Sequence, residues 1–284
     1  MIKIANYFLQ SVIIYFFFLA GRVLGLKFSR KIFGFLFSFC GPFFKSKKII
    51  NSNLEKFSSH TSLTKEKIIN SMWKNYGMTF IEYIFLDNFR KNNSHIKIKG
   101  EKQLIDIISQ KKQVVFISGH FANFELMSME ITKKNISLAT IYRPLNNIFL
   151  NPFMEYLRKK YICKNQIKKE IKIDSEIVDY INTKSNIALM IDQRVSEGEM
   201  INFFKNPALT TTLPAQLSIK YNIEIMPVSI ERKEDNNFII EFHDGLDPKK
   251  FKNKIELTDE LNKVLEKMII KNPGQWIWSH NRWK

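Results

Sequence analysis

A histidine followed five residues later by a glutamate is the pairing with the clearest catalytic potential in this sequence. His120 comes just after Ser118-Gly119, where a run of β-branched and aromatic residues stops, and Glu125 lies in the helix-compatible stretch that follows. An imidazole exchanges protons near neutral pH, and a carboxylate can fix its tautomer and stabilise its charged form. The pair therefore predicts a general base, His120, oriented by Glu125.

The position of His120 supports this interpretation, although the spacing alone also fits an ordinary core or surface contact. On one continuous helix the two residues would lie about 140° apart, so pairing requires His120 to precede the first helical turn. Open α/β sheets bind their ligands at the carboxyl ends of strands, which is where His120 is expected. No metal site is expected, because no second His or Cys lies within ligand spacing.

Several further segments carry a resemblance to a known family. Ser118 to Leu126 resembles the His-x-x-x-x-Asp/Glu signature of glycerolipid-type acyltransferases, and in particular the late lauroyl and myristoyl transferases of lipid A biosynthesis. Six more blocks agree in the same order and cover most of the chain after about residue 70: residues 141–147, 190–194, 203–208, 212–215, 226–232 and 273–284. Two departures are visible, since the family commonly has Gly and Trp where Ala122 and Phe124 stand. Both leave the His/Glu pair intact.

The resemblance implies a reaction and a set of substrates. A fatty acyl group would pass from an acyl carrier protein thioester to a hydroxyl of a lipid A precursor, a phosphorylated glucosamine disaccharide, with no cofactor beyond the thioester co-substrate. Three alternatives stay open: another glycolipid or lysophospholipid acceptor, hydrolysis of the same thioester, and a non-catalytic protein that binds membranes or nucleic acid.

Four polar residues are expected to contact substrate. Arg143 follows a strand ended by Pro144, where its guanidinium can hold a phosphate with two hydrogen bonds. Asp192 and Arg194 follow a buried apolar run, and the resemblance places them near the acceptor or against the catalytic loop. Asn123, inside the signature, completes the set. Arg143 and Arg194 are the residues expected to bind the phosphorylated head group.

The N-terminal 48 residues differ in composition from the rest of the chain. Tyr7 to Ala20 is densely apolar, and a second aromatic block from Phe33 to Phe44 is bracketed by Lys and Arg residues. This pattern is typical of a membrane anchor on the cytoplasmic side, although a helix buried against the domain fits it too. In the family that the chain resembles, the N-terminal segment anchors the enzyme to the inner membrane. The resemblance therefore implies that residues 1–48 anchor an acyltransferase domain of residues 49–284 at the bacterial cytoplasmic (inner) membrane.

The charge balance implies an anionic partner. The chain has 44 Lys and Arg and 27 Asp and Glu residues, a formal net charge of +17. No zinc-finger, RNP-like or helix-turn-helix pattern supports nucleic-acid binding, which leaves the bilayer surface, the anionic glycolipid and the acidic acyl carrier protein. An AT-rich genome would also contribute Lys. Two cysteines, Cys40 and Cys163, cannot form a disulfide framework and suggest a reducing compartment.

Alternating strand-like and helix-like stretches predict an α/β fold: a single domain with a mixed, mostly parallel sheet flanked by helices, preceded by the hydrophobic helical anchor. The three C-terminal tryptophans could form a membrane-interface belt or pack in the core, and packing is the favoured interpretation. Strands are expected at residues 96–98, 114–117, 137–142, 187–191, 201–204, 225–230 and 238–242. The last long helix is expected over residues 258–271 with Thr258 as its N-cap.

Overall fold

The computed structural model describes residues 2–169 and 173–284. Within them the strands are β1 (Ile96–Lys99), β2 (Val114–Ser118), β3 (Leu138–Tyr142), β4 (Asn165–Lys168), β5 (Asn186–Met190), β6 (Glu199–Phe203), β7 (Asn206–Thr210), β8 (Glu224–Arg232) and β9 (Phe238–Phe242). The helices are α1 (Ile2–Phe44), α2 (Lys47–Phe57), α3 (Lys65–Glu82), α4 (Leu86–Lys91), α5 (Glu101–Ser109), α6 (Glu125–Lys133), α7 (Asn151–Tyr161), α8 (Ile173–Asn182), α9 (Leu213–Tyr221) and α10 (Lys254–Lys271).

Seven strands form the central sheet, in the order β1-β9-β8-β2-β5-β3-β4. Its pairs are parallel except for β8 and β9, which form an antiparallel hairpin, and β6 and β7 make a separate antiparallel pair. Strand β2 is central, and its five residues Val-Val-Phe-Ile-Ser are all buried. A continuous apolar run is what a parallel strand covered on both faces requires. The predicted mixed, mostly parallel α/β sheet is confirmed.

The parallel strands bring three chain segments to one edge of the sheet. Strands β2, β5 and β3 are neighbours with a common direction, so the residues that follow Ser118, Met190 and Tyr142 emerge at the same carboxyl-terminal edge. The backbone N–H of Ile191 still donates to the carbonyl of Ser118 over 3.0 Å. This continued pairing carries the register past the strand ends and fixes the two following loops side by side.

Helix α1 packs against the domain over most of its length. It changes direction at Gly25, whose φ of 75° lies in the left-handed region that glycine enters without strain. Its contacts with α3 run antiparallel, since Gly21 lies against Ile81 and Gly41 against Trp73. Gly77 of α3 permits the closest approach, because a Cβ there would come within 2.1 Å of the carbonyl oxygen of Phe33. The opposite face of α1 exposes Phe16, Leu19, Val23, Phe28, Phe35, Phe39, Phe43 and Phe44.

Some predicted elements needed correction. Strands β4 and β7 were not expected. Helix α10 begins at Lys254, four residues before the predicted cap Thr258, because the side chain of Asn253 accepts the backbone N–H groups of Ile255 and Glu256. The predicted core packing of the tryptophans is confirmed for Trp276 and Trp278, which are 1% and 0% exposed.

Candidate active site

The loop between β2 and α6 carries His120 at the carboxyl-terminal edge of the sheet. Gly119 has no room for a side chain, since a Cβ would lie 2.7 Å from the ring of Phe121 and 2.9 Å from Leu265. Ala122 has a φ of +44°, a conformation that Gly adopts more readily than Ala. The loop is therefore held in a tight, specific path that presents the imidazole at the end of β2.

The partner of the imidazole is Asp192, which follows the neighbouring strand β5. Oδ1 of Asp192 lies 2.7 Å from Nδ1 of His120, and Oδ2 accepts the backbone N–H of His120 at 2.7 Å. Oδ2 also accepts the indole N–H of Trp276 at 2.8 Å. A carboxylate can only accept here, so Nδ1 carries the proton and Nε2 is left basic. The Asp192 side chain is fully buried, whereas that of His120 is 21% exposed.

Burial and charge shift the pKa values of His120 and Asp192 in opposite directions. Burial lowers the pKa of His120, but the charge and hydrogen bond of Asp192 outweigh it, so the pKa lies above its ordinary value. Burial raises the pKa of Asp192, and the charge and hydrogen bonds of His120, with the indole of Trp276, more than reverse that effect. The ionised carboxylate is thus the stable form of Asp192, and it stabilises a protonated imidazole.

Glu125 does not occupy the position that the sequence suggested. Its Oε1 accepts from Nε of Arg158 at 2.7 Å and from the hydroxyl of Tyr83 at 2.6 Å. Glu125 is the first residue of α6 and bonds to Arg158 of α7 and to Tyr83, which directly follows α3, while Asp192 reaches Nδ1 from the end of the adjacent strand β5. The expectation that Glu125 fixes the imidazole tautomer is therefore corrected, with Asp192 in that position.

Glu125 and Arg158 nevertheless belong to the surroundings of His120. Both charges act on the pKa of His120, Glu125 raising it and Arg158 lowering it. Burial lowers the pKa of Arg158, but the charge of Glu125 reverses this and raises it above its usual range. Burial and Glu125 raise the pKa of Tyr83, which keeps its hydroxyl protonated. Arg158 was not singled out from the sequence, where it stands in a basic helix end.

Asn123 belongs to the same loop as His120, and its side chain is buried in the protein interior. Its side chain donates from Nδ2 to Oε2 of Glu82 at 2.9 Å, and the residue is 1% exposed. The expected substrate contact is therefore corrected to a contact with the protein interior. Asp192, expected near the acceptor or against the catalytic loop, takes the second of these positions, buried beneath the imidazole.

A cavity of about 1370 Å³ opens in front of His120 and includes Glu125 and Arg158 in its wall. It exceeds the roughly 300–1,000 Å³ of sites for drug-sized ligands. The predicted head-group residues Arg143 and Arg194 both line it, together with Lys45, Lys169 and Lys284, while Glu125 is the only acidic residue that the described part of the chain contributes to the lining. Apolar lining comes from side chains of several helices: Phe18, Phe80, Met127, Leu150, Met154 and Ile162.

The C-terminal segment adds His280, which no local pattern in the sequence singled out. Nε2 of His280 accepts the backbone N–H of Arg194 at 2.9 Å, and both residues line the cavity. Burial lowers the pKa of His280, in keeping with a neutral ring whose Nε2 acts as an acceptor. In the described parts of the chain, no cluster of three or more His, Cys, Asp or Glu side chains could hold a metal ion.

The chain is similar to a protein family, to a curated relative and to a solved structure. The family model of bacterial lipid A biosynthesis acyltransferases matches residues 2–284. A lipid A biosynthesis acyltransferase of Haemophilus influenzae is 22% identical over 271 residues, which cover 89% of this chain and 82% of the relative. The crystal structure of the 1-acyl-sn-glycerophosphate acyltransferase PlsC from Thermotoga maritima aligns with a TM-score of 0.42 and 14% identity, covering 87% of this chain and 99% of that one.

Proposed function

The chain belongs to the bacterial lipid A biosynthesis acyltransferase family, and from that premise we propose that it moves a fatty acyl group from an acyl carrier protein thioester to a hydroxyl of a lipid A precursor. The observation that carries the proposal is the His120 imidazole, held by Asp192 and facing a cavity lined with cations and apolar side chains. This reaction needs a general base, a space for acyl chains and positive charge around the cavity.

In the proposed mechanism, neutral His120 acts as the general base. The acceptor hydroxyl oxygen attacks the thioester carbonyl carbon while Nε2 takes its proton, and the carboxylate of Asp192 stabilises the imidazolium that forms. The tetrahedral intermediate then collapses by breaking the carbon–sulfur bond. The departing thiolate recovers the proton from His120, so the products are an ester and a thiol and the enzyme is regenerated without an acyl-enzyme.

Arg158 has the charge that a developing oxyanion requires. Its guanidinium is held by Glu125 and Tyr83 and lines the same cavity as His120. A cation fixed before the reaction costs no reorganisation when negative charge develops. In this mechanism Glu125 acts through Arg158, by fixing the guanidinium and partly neutralising it.

The cations around the cavity suit a phosphorylated sugar acceptor. Arg143 and Arg194 are exposed, and no ion pair joins either of them to a carboxylate among residues 2–169 and 173–284. Guanidinium groups without such partners can bind phosphate oxygens with two charge-assisted hydrogen bonds. The excess of positive charge at the cavity also suits the approach of an acidic carrier protein.

Helix α1 supports membrane association. It is the one helix in the described chain that is long and apolar enough to cross a bilayer. Its contacts with the domain extend from Tyr7, whose carbonyl accepts the side chain of Asn147, to Gly41 beside Trp73. A helix held along the domain in this way is suited to lie within one leaflet, with its exposed aromatic face in the acyl region. We expect that leaflet to be the cytoplasmic side of the inner membrane.

The test is a direct assay of products. The purified full chain in detergent would be incubated with an acyl carrier protein thioester and either a lipid A precursor, another glycolipid or a lysophospholipid, and the extracted lipids would be weighed by mass spectrometry. A lipid A precursor heavier by one acyl group supports the proposal. Acylation of another acceptor alone, release of free fatty acid alone, or no turnover with binding to vesicles or nucleic acid would each contradict it.

A further inference from the structure

Glu82, Arg30 and Arg232 form a buried ionic cluster next to the loop that carries His120, and these three residues do not line the cavity. Its centre is Glu82 of α3, which is 0% exposed. Oε1 of Glu82 accepts from Nε of Arg30 at 2.6 Å and from Nη1 of Arg232, and Oε2 accepts from Nη2 of Arg232 at 3.0 Å. Burial raises the pKa of Glu82, but the two guanidinium groups outweigh it and hold the pKa below its ordinary value. One carboxylate thus joins α1, α3 and the end of β8.

The same carboxylate reaches the catalytic loop through Asn123. Nδ2 of Asn123 donates to Oε2 of Glu82 at 2.9 Å, and Asn123 lies three residues after His120. Its neighbour Ala122 is fixed on both sides: its carbonyl accepts the hydroxyl of Thr79 at 2.9 Å, and its N–H donates to the carbonyl of Gln275 at 3.1 Å.

Arg232 contacts both of the residues that hold Ala122, which are Thr79 and Gln275. Its Nη2 donates to the hydroxyl of Thr79 at 3.1 Å, and its carbonyl accepts the side chain of Gln275 at 2.7 Å. The loop that carries His120 is therefore bonded to the cluster directly through Asn123 and indirectly through Thr79 and Gln275. These bonds hold Ala122 at a positive φ that an alanine would otherwise avoid.

From these contacts we infer that Glu82, Arg30 and Arg232 are positioning residues for His120, so that the apolar N-terminal helix contributes through Arg30 to the geometry of catalysis as well as to anchoring. The inference rests on the proposed function. Stability alone is a weak reason for such a cluster, because well-packed apolar side chains are often at least as stable as buried ion pairs. A catalytic base, in contrast, loses rate steeply when it is displaced by as little as 1 Å.

The experiment removes single links of the cluster from the full-length protein. N123L replaces the amide by an apolar side chain of similar size and leaves Glu82 paired with both arginines. R30M removes the link to α1 and leaves Glu82 paired with Arg232. The matched control is R22M, because Arg22 lies on the same helix and forms an exposed pair with Asp87 at 2.6 Å, with its side chain 47% exposed.

Displacement of His120 predicts a specific kinetic result. N123L and R30M should lower kcat by roughly 10- to 100-fold with little change in KM, while R22M matches the wild type. The acid limb of the kcat/KM profile should also move to lower pH, since a weaker bond to Asp192 removes the influence that raises the pKa of His120. A purely structural role would lower the melting temperature without moving this limb.

Thr79 provides a smaller perturbation if the larger ones prevent folding. T79V removes the hydroxyl that supports Ala122 and should reproduce the loss of kcat, and T79S should restore it. Folded N123L and T79V proteins with wild-type kcat and wild-type pH profiles would overturn the inference. A wild-type protein without acyl transfer contradicts the proposed function instead, and in that case NMR titration of His120 in N123L, R30M and R22M still tests the positioning role.

Discussion

Nδ1 of His120 lies 2.7 Å from Oδ1 of Asp192, a residue 72 positions later in the chain. The two are brought together because β2 and β5 are parallel neighbours whose ends are in register, Ser118 opposite Met190. The imidazole is thereby oriented by a carboxylate from the next strand, and Glu125, closer in sequence, is left to hold Arg158. The predictions that follow depend on this division between the two acids.

Replacement of His120 by Ala should reduce acyl transfer by roughly 10²- to 10⁴-fold, the usual contribution of a positioned general base. Folding should be retained, since the imidazole is partly exposed and accounts for one of several bonds to Asp192. Product formation would be measured by mass spectrometry and folding by circular dichroism. Undiminished transfer by a folded H120A protein would remove His120 from the mechanism.

The pH dependence should follow the protonation of His120. A base must be neutral to accept a proton, and the pKa of His120 lies above its ordinary value of about 6.5. Activity should therefore fall as the pH drops through that raised pKa. D192N removes the negative charge, so its acid limb should lie at lower pH, with a lower maximal kcat. An unchanged limb in D192N would show that another group controls the profile.

Removal of the Glu125 carboxylate should lower both the free energy of unfolding and the rate of acyl transfer. E125A leaves the guanidinium of Arg158, whose side chain is only 12% exposed, without its charged partner, and the free energy of unfolding should fall on the order of 3 kcal/mol. Y83F removes one hydrogen bond to the same carboxylate and should cost about 1 kcal/mol. Urea unfolding monitored by fluorescence would measure both values. Equal effects of the two variants would contradict the assigned ion pair.

Arg143 and Arg194 should affect binding of the anionic acceptor more than turnover. R143A and R194A should each raise KM for a phosphorylated acceptor by roughly tenfold, with a smaller effect at high salt, where exposed charges are screened. K102A is a suitable control, since Lys102 of α5 is exposed and does not line the cavity. Equal KM values for phosphorylated and dephosphorylated acceptors in the wild type would argue against a phosphate site here.

Membrane binding should depend on the exposed face of α1. Phe35 and Phe39 are 74% and 69% exposed on that face, so the double variant F35S/F39S should reduce flotation with anionic vesicles while folding is retained. I105S alters an exposed residue of α5 and should float like the wild type. Wild-type flotation of F35S/F39S would indicate that this face is not the membrane contact.

Local patterns in the sequence were sufficient to predict the position of the loop that carries His120 and most strands of the sheet. The apolar run of β2 and the turn at Ser118-Gly119 predicted where His120 would stand, because strand patterning and turn residues are local properties. Strand β4 was missed because its four residues contain a single apolar side chain, Ile167, at the edge of the sheet. An edge strand of this kind has no alternation by which it could be recognised.

Through-space partners were harder to predict. The pairing of His120 with Asp192 depends on the order of strands in the sheet, which no spacing in the chain encodes. Arg158 stands in the basic run Arg158-Lys159-Lys160 near the end of α7, and nothing adjacent to it in the sequence indicates that Glu125 would accept from it. Asn123 looked available because it lies within the signature, although the positive φ of Ala122 precedes it and its amide is bonded to Glu82 in the interior.

The N-terminal helix sets a practical limit on how this enzyme can be handled. Phe18 of α1 forms part of the cavity wall and Arg30 enters the interior. Removal of the first 44 residues to obtain a water-soluble fragment would therefore remove part of the cavity wall. It would also leave Glu82 without its ion pair to Arg30. Measurements of turnover should therefore use the chain with α1 in place, and replacement of α1 by an unrelated hydrophobic segment should fail to restore turnover.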